Sequence, residues 1–259
     1  MKVLSNLVVA AAVLTAAVGF FSATYADSPA PAKARNVVLV HGAYADGSSW
    51  SEVIPLLQQA GLHVTSVQNP LTSFVDDVDA TKRILALQDG PTVLVGHSYA
   101  GMVISETGVD PKVTALVYIA ARAPDAGEDY PALAAKFPAP AASNGLVHQG
   151  GFELSEDAFV HHFAADLPVA KARVLYAVQG RISDTLFAAK TTHAAWRSKP
   201  SWYAVSKYDE ATSPDLERFL AKRMNATTVE LASSHVSLIS HPHEIANLIL
   251  QAAGYTHTN

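Results

Sequence analysis

The stretch Thr92-Val-Leu-Val-Gly-His-Ser-Tyr-Ala-Gly101 decides the reading of this chain. An apolar run, Val93 to Val95, breaks at Gly96-His97-Ser98-Tyr99-Ala100-Gly101, and a helix-compatible segment, Met102 to Thr107, follows. A buried strand, a tight turn with Ser at its apex and a helix start form the setting of a nucleophile elbow, in which a serine hydroxyl is thrust out of a sheet on a strained backbone. Strand and helix cross closely there, so small neighbours are needed. Gly96, Ala100 and Gly101 meet that need, although the strict pattern G-x-S-x-G asks for Gly where Ala100 stands. A nucleotide-binding loop is the weaker reading, because neither Gly-x-Gly-x-x-Gly nor Gly-Lys-Ser/Thr occurs here.

Working outward, Asn36 to Val40, His63 to Gln68 and Val113 to Ile119 are further short strand-like runs. Helical patterns separate them: roughly Trp50 to Gln59, capped by Ser48 or Ser49 and ended by Gly61, and a segment opened by Ser73-Phe-Val-Asp76 with Val75, Val78, Ile84 and Leu85 on one face. The alternation resumes with a strand at Trp202 to Val205, a helix opened by Ser213-Pro214-Asp215 with Ser213 as its cap, a strand at Thr227 to Leu231 and a last helix from Pro242 to about Ala253. This pattern predicts an α/β protein with a doubly wound, mostly parallel sheet. Between Ala121 and Lys199 five prolines and several glycines interrupt the order, with short helical pieces at Glu156 to Phe163, Ala170 to Val178 and Asp184 to Lys190. The segment reads as an inserted, mainly helical cap, with Phe137, Phe152, Phe159, Phe163 and Trp196 as candidate pocket aromatics.

The chain has 259 residues, 49% of them hydrophobic and 16% charged, which suits one sizeable domain over residues 27-259. The net charge of -5 offers no basis for binding nucleic acid. With no Cys, disulfides, thiolate chemistry and anchoring through a lipidated Cys are excluded. Residues 1-26 read as a signal peptide: Lys2, an apolar run from Leu7 to Phe21, and small residues at Thr24 and Ala26 before a cut at Asp27. The expectation is a secreted or periplasmic protein without stable membrane association after cleavage. An uncleaved anchor is the competing reading, because the run is near the lower limit for a span. Ser28 to Ala34, rich in Pro and Ala, reads as a leader.

A serine hydroxyl is a poor nucleophile until a base takes its proton and a carboxylate orients that base. His235 lies in the loop after the Thr227 to Leu231 strand, at the carboxyl edge of the sheet that Ser98 also occupies. Asp209 follows the strand Trp202 to Val205 and falls between Ser98 and His235, as the elbow arrangement requires, with Glu210 and Asp125 as fallbacks. An oxyanion needs two backbone N–H donors; Tyr99, after the nucleophile, and Ala43, in the loop after the first strand, are the candidates. His41 reads as a brace of that loop, and His97 as local packing. His241 and His243 flank Pro242 without an evident third ligand, so no metal site is expected.

On Leu39-Val-His-Gly-Ala43, Gly90 to Gly101, Tyr203 to Asp209 and Ser233-Ser-His-Val236, the chain resembles the α/β-hydrolase superfamily, most of all the small esterase branch with salicylate-type methylesterases and hydroxynitrile lyases. The resemblance extends over nearly all of residues 36-253 and is vaguest in the cap. It implies Ser98, Asp209 and His235 as a triad and Ala43 and Tyr99 as oxyanion donors, acting on a small-molecule carboxylic ester without a cofactor. Ala100 departs from the family pattern, as do the missing leading antiparallel strands of larger members. Lyase or lactonase chemistry on the same site stays open, as does a non-catalytic ligand-binding protein of the same fold. One lyase type of the family carries Lys near the catalytic His, where this chain has Val236 and Ser237.

Overall fold

A computed structural model of the chain describes residues 33-255. The expected signal peptide and most of the leader lie outside the described residues. Six strands, β1 (Asn36–Val40), β2 (His63–Val67), β3 (Thr92–His97), β4 (Val113–Ile119), β7 (Ser201–Ser206) and β8 (Thr227–Leu231), form one sheet in the order β2-β1-β3-β4-β7-β8. Every pairing in it is parallel. The strand sequences explain who sits where. β1 and β3 are buried at every residue and carry continuous apolar runs, Val37 to Val40 and Val93 to Val95, as strands covered on both faces do. β2 and β8 keep Thr, Ser or Glu at partly exposed positions and lie at the two edges.

The chain leaves β1 toward one edge and returns to start β3 on the other side of β1. The loops after β1 and β3 therefore diverge at the carboxyl ends of adjacent strands, where open α/β sheets bind ligands. Register sharpens this. Val40 pairs with Gly96, so two residues later Gly42 and Ser98 lie side by side. A Cβ on Gly42 would stand 2.8 Å from the Ser98 Cβ.

Three helical expectations are corrected. The first helix does not run from Trp50: a 3-10 turn at Gly47–Trp50 comes first and the α-helix spans Ile54–Gln59. The cap is Asp46, whose side chain accepts from the Ser48 N–H, and not Ser48 or Ser49. Ser213 precedes the helix Pro214–Arg223 without a side-chain cap bond, whereas Ser73 does accept from the Asp76 N–H at 3.1 Å and opens the helix Phe74–Ala86.

The segment between β4 and β7 is less helical than expected. It carries an antiparallel pair, β5 (Leu146–His148) and β6 (Phe152–Leu154), joined through Gly150 and Gly151, both at positive φ. A Gly-Gly turn is a hairpin signal, but strands of three residues are too short to show a period in the sequence. The expected helix over 184–190 is a single 3-10 turn, Leu186–Ala188. The piece from Glu156 ends in a π-helical turn, Phe159–Phe163, and a regular helix spans Val169–Ala177.

Candidate active site

Ser98 follows β3 at φ 55°, in the left-handed region that costs a non-glycine residue about 1–3 kcal/mol. Hydrogen bonds hold it there. Its N–H donates to the Ile119 carbonyl at 3.0 Å, and its carbonyl accepts from Gly101 N–H at 3.1 Å and Arg122 N–H at 3.0 Å. The small residues around it are required by space. A Cβ on Gly96 would come 2.9 Å from the Ala100 carbonyl oxygen, and one on Gly101 would overlap the Arg122 carbonyl oxygen.

The Ser98 hydroxyl donates to His235 Nε2 at 2.7 Å, and His235 Nδ1–H donates to Asp209 Oδ2 at 2.5 Å. The other Asp209 oxygen accepts from Ala211 N–H at 2.6 Å and Thr212 N–H at 2.8 Å. Both side chains of the His–Asp pair are buried. Burial opposes the Asp209 charge, but the facing imidazole and these donors hold its carboxyl below the usual carboxylate range. The two fallback acids are engaged elsewhere: Glu210 with His162, and Asp125 with the guanidinium of Arg197, whose Nε donates at 2.7 Å. Only Asp209 of the three meets His235.

Ala43 and Tyr99 are buried beside Ser98, and among the described residues neither N–H has a hydrogen-bond partner. Two unpaired N–H groups flanking a serine hydroxyl can receive a developing oxyanion. His41 braces the Ala43 loop. Its Nε2 accepts from Asn69 N–H at 2.9 Å, which leaves Nδ1–H to donate to the Gly42 carbonyl at 2.9 Å, and Asn69 Nδ2 donates to the His41 carbonyl.

A cavity of about 190 Å³ opens over Ser98 and His235, lined also by Tyr44, Arg122, Leu146, Leu154, Phe163 and Phe187. Of the five expected pocket aromatics, Phe163 lines it, with its ring 4.8 Å from the His235 imidazole. Phe159 packs behind Phe163. Phe137 packs on Phe219, Phe152 on His148, and Trp196 donates to the Pro124 carbonyl.

Comparison with known proteins places this arrangement. The pattern of the alpha/beta hydrolase family matches residues 37–248. The chain belongs to that family. The carbendazim hydrolyzing esterase of Nocardioides sp. (strain SG-4G) is 32% identical over 133 residues, 45% of this chain and about half, 53%, of that protein's length. Among solved structures, polyneuridine aldehyde esterase superposes with a TM-score of 0.72 at 21% identity, covering 84% of this chain and 98% of that one. The methylesterase MES16 from Arabidopsis superposes with a TM-score of 0.69 at 18% identity, covering 85% and 98%. The chain is thus an enzyme of the α/β-hydrolase type.

Sequence reasoning missed two groups that support this hydrolase's site. His97 is more than packing: its Nε2–H donates to the His235 carbonyl at 3.0 Å, tying the His loop to the elbow. Burial pushes its pKa down to about 3, so the ring stays neutral beside His235. Glu217, on the first turn of Pro214–Arg223, is fully buried against Asp209. Burial, and then the Asp209 charge, push its carboxyl well above the usual range. The retained proton gives Glu217, whose Oε1 has no other partner among the described residues, a hydrogen to donate to Asp209, while Oε2 accepts from Ser206 N–H at 3.0 Å. A first-turn acid reads in sequence as a solvated dipole partner, and only packing on β7 reveals it as a second carboxyl behind the first.

Glu217 carries a pH signature. Its folded pKa is raised above the unfolded one, so its share of stability is full below about pH 4.5 and lost as pH rises from there toward the folded value. Glu217→Gln keeps a donor toward Asp209 and an acceptor for Ser206 but has no proton to lose. Its melting temperature relative to wild type should rise as the pH is raised above about 5. A difference independent of pH would mean that Glu217 is ionised in the fold.

Proposed function

We propose that this hydrolase is a serine carboxylesterase working through an acyl-enzyme. The observation that supports this most directly is the unbroken chain from Ser98 Oγ through His235 to buried Asp209, beside two unpaired N–H groups. In the first half-reaction His235 Nε2 takes the hydroxyl proton as Ser98 Oγ bonds to the ester carbonyl carbon. Negative charge develops on the carbonyl oxygen and is received by Ala43 N–H and Tyr99 N–H. Asp209 keeps His235 in the tautomer whose Nε2 is free to accept, and stabilises the imidazolium. The C–O bond to the alcohol then breaks, and His235 returns the proton to the leaving alkoxide. In the second half a water gives its proton to His235 and its oxygen to the acyl carbon, and Ser98 leaves with the proton.

The cavity falls below the ~300–1,000 Å³ usual for drug-sized ligands and is walled by Leu146, Leu154, Phe163 and Phe187, which favours short, moderately hydrophobic esters. A relative bearing the name of a carbendazim hydrolyzing esterase fits hydrolysis of small carbonyl compounds. The segment 121-199 acts as the cap that supplies these walls. Export is part of the same reading and rests on Lys2, the Leu7 to Phe21 run and the small residues before Asp27; amino-terminal sequencing of the exported protein should begin at Asp27.

The test is release of p-nitrophenol from p-nitrophenyl acetate, with fluorophosphonate labelling read by peptide mass spectrometry. Turnover with the label on Ser98, both lost in Ser98→Ala, is expected. Turnover that survives Ser98→Ala would sink the mechanism.

A further inference from the structure

Arg122 follows β4 at the mouth of the site, and nothing in the mechanism above uses it. Its backbone is pinned. Ala120 takes φ 44°, the Tyr203 hydroxyl binds both the N–H and the carbonyl of Ala121, and Arg122 N–H donates to the Ser98 carbonyl. The residue is part-buried, and its side chain lines the same cavity as Ser98 and His235. Its cation lies 4.1 Å from the Phe187 ring centroid and 5.1 Å from that of Tyr130. Among the described residues no hydrogen bond and no ion pair engages the guanidinium. This sets it apart from Arg173, Arg181, Arg197, Arg218 and Arg223, each of which meets a Glu or Asp. The polar groups that face it are phenols, Tyr44, Tyr99 and Tyr130, and each is kept neutral by burial.

A guanidinium withdrawn from water without an anion is costly, and aromatic rings offset only part of that cost. A ring stacked on its face leaves the N–H groups at its edge free, in the fork that matches a carboxylate. The rest of the cavity wall is mainly apolar, so a carboxylate entering it has this one cation to meet.

We infer that Arg122 is a substrate-binding residue, and that the preferred ester carries a free carboxylate elsewhere in the molecule, as in half-esters of short dicarboxylic acids. The carboxylate sits on the Arg122 fork while the ester carbonyl reaches Ser98. The inference rests on the esterase reading and narrows its substrate class.

The test compares pairs that differ only by carboxylate against methyl. Monoethyl glutarate against ethyl pentanoate places the charge on the acyl side, and 3-acetoxypropanoate against propyl acetate places it on the alcohol side. A charged hydrogen bond of this kind should give wild type about a tenfold to hundredfold preference in kcat/KM for the carboxylate in at least one pair. The pair that shows it identifies the side. Arg122→Met should abolish the preference, through KM more than kcat, and Arg122→Lys should restore part of it. A purely structural role would lower turnover of both members of a pair alike. The neutral esters and a melting curve show whether Arg122→Met retains a folded site. If it does not, Arg122→Lys alone decides, by a reduced preference with a raised KM for the carboxylate ester only. A wild-type preference for both neutral esters, or equal ratios in wild type and variant, would overturn the inference. Should wild type hydrolyse none of the four esters, the esterase reading fails by itself. Calorimetric titration with glutarate then judges Arg122 separately: binding by wild type lost in Arg122→Met upholds the subsite, and no binding by wild type removes it.

Discussion

Asp209→Asn should lower kcat by about ten-thousandfold while the fold persists. The carboxamide oxygen can still accept from Ala211 and Thr212, so the loop keeps its anchors. The amide nitrogen, however, now faces His235 Nδ1 as a donor. The imidazole must turn its lone pair toward it and carry its proton on Nε2, where it meets the Ser98 hydroxyl and can no longer take a proton. Asp125→Asn and Glu210→Gln should stay within a few-fold of wild type, because their partners are Arg197 and His162 and neither touches His235. The measurement is steady-state hydrolysis of p-nitrophenyl acetate by the three variants. A large loss in either control with near-normal Asp209→Asn would transfer the orienting role and break the proposed triad.

The second large effect comes from one methyl group. Gly42→Ala should reduce kcat by about a hundredfold to a thousandfold, since a shift near 1 Å or the loss of one oxyanion donor each has that scale. The new Cβ would lie 2.8 Å from the Ser98 Cβ, 3.0 Å from the His97 carbonyl oxygen and 3.2 Å from His97 Nδ1. Two of these three are the Ser98 Cβ and fixed backbone at the strained elbow, so the β1 loop must retreat, and the Ala43 N–H goes with it. The loss should appear in kcat with little change in KM, because an oxyanion donor acts on charge present only in the transition state. Normal kcat in a variant of unchanged melting temperature would remove Ala43 from the oxyanion assignment.

The same neighbourhood shows why some of the site was legible in the chain and some was not. Ser98 could be found because its signal is local: an apolar strand, a turn of small residues and a helix start lie within ten consecutive positions. Asp209 and His235 followed from strand ends, since every parallel strand delivers its next loop to the same edge of the sheet. That argument reaches a loop but not a side chain. It left Glu210 and Asp125 standing beside Asp209 until the ion pairs with His162 and Arg197 were seen.

What the sequence by itself determined is the α/β alternation, the parallel sheet, the elbow and the order Ser98, Asp209, His235, because periodicity and turn chemistry act over a few residues. What only the tertiary structure decided is the partner of each buried polar group. His97 meets the His235 carbonyl across 138 positions of chain, and His235 meets Asp209 across 26. Glu217 keeps its proton because packing buries it against Asp209, and among the described residues Arg122 stays unpaired because the inserted segment brings Phe187 and not a carboxylate to it. Burial and pairing are properties of the assembled neighbourhood, and they set protonation, strain and specificity where composition and spacing are silent.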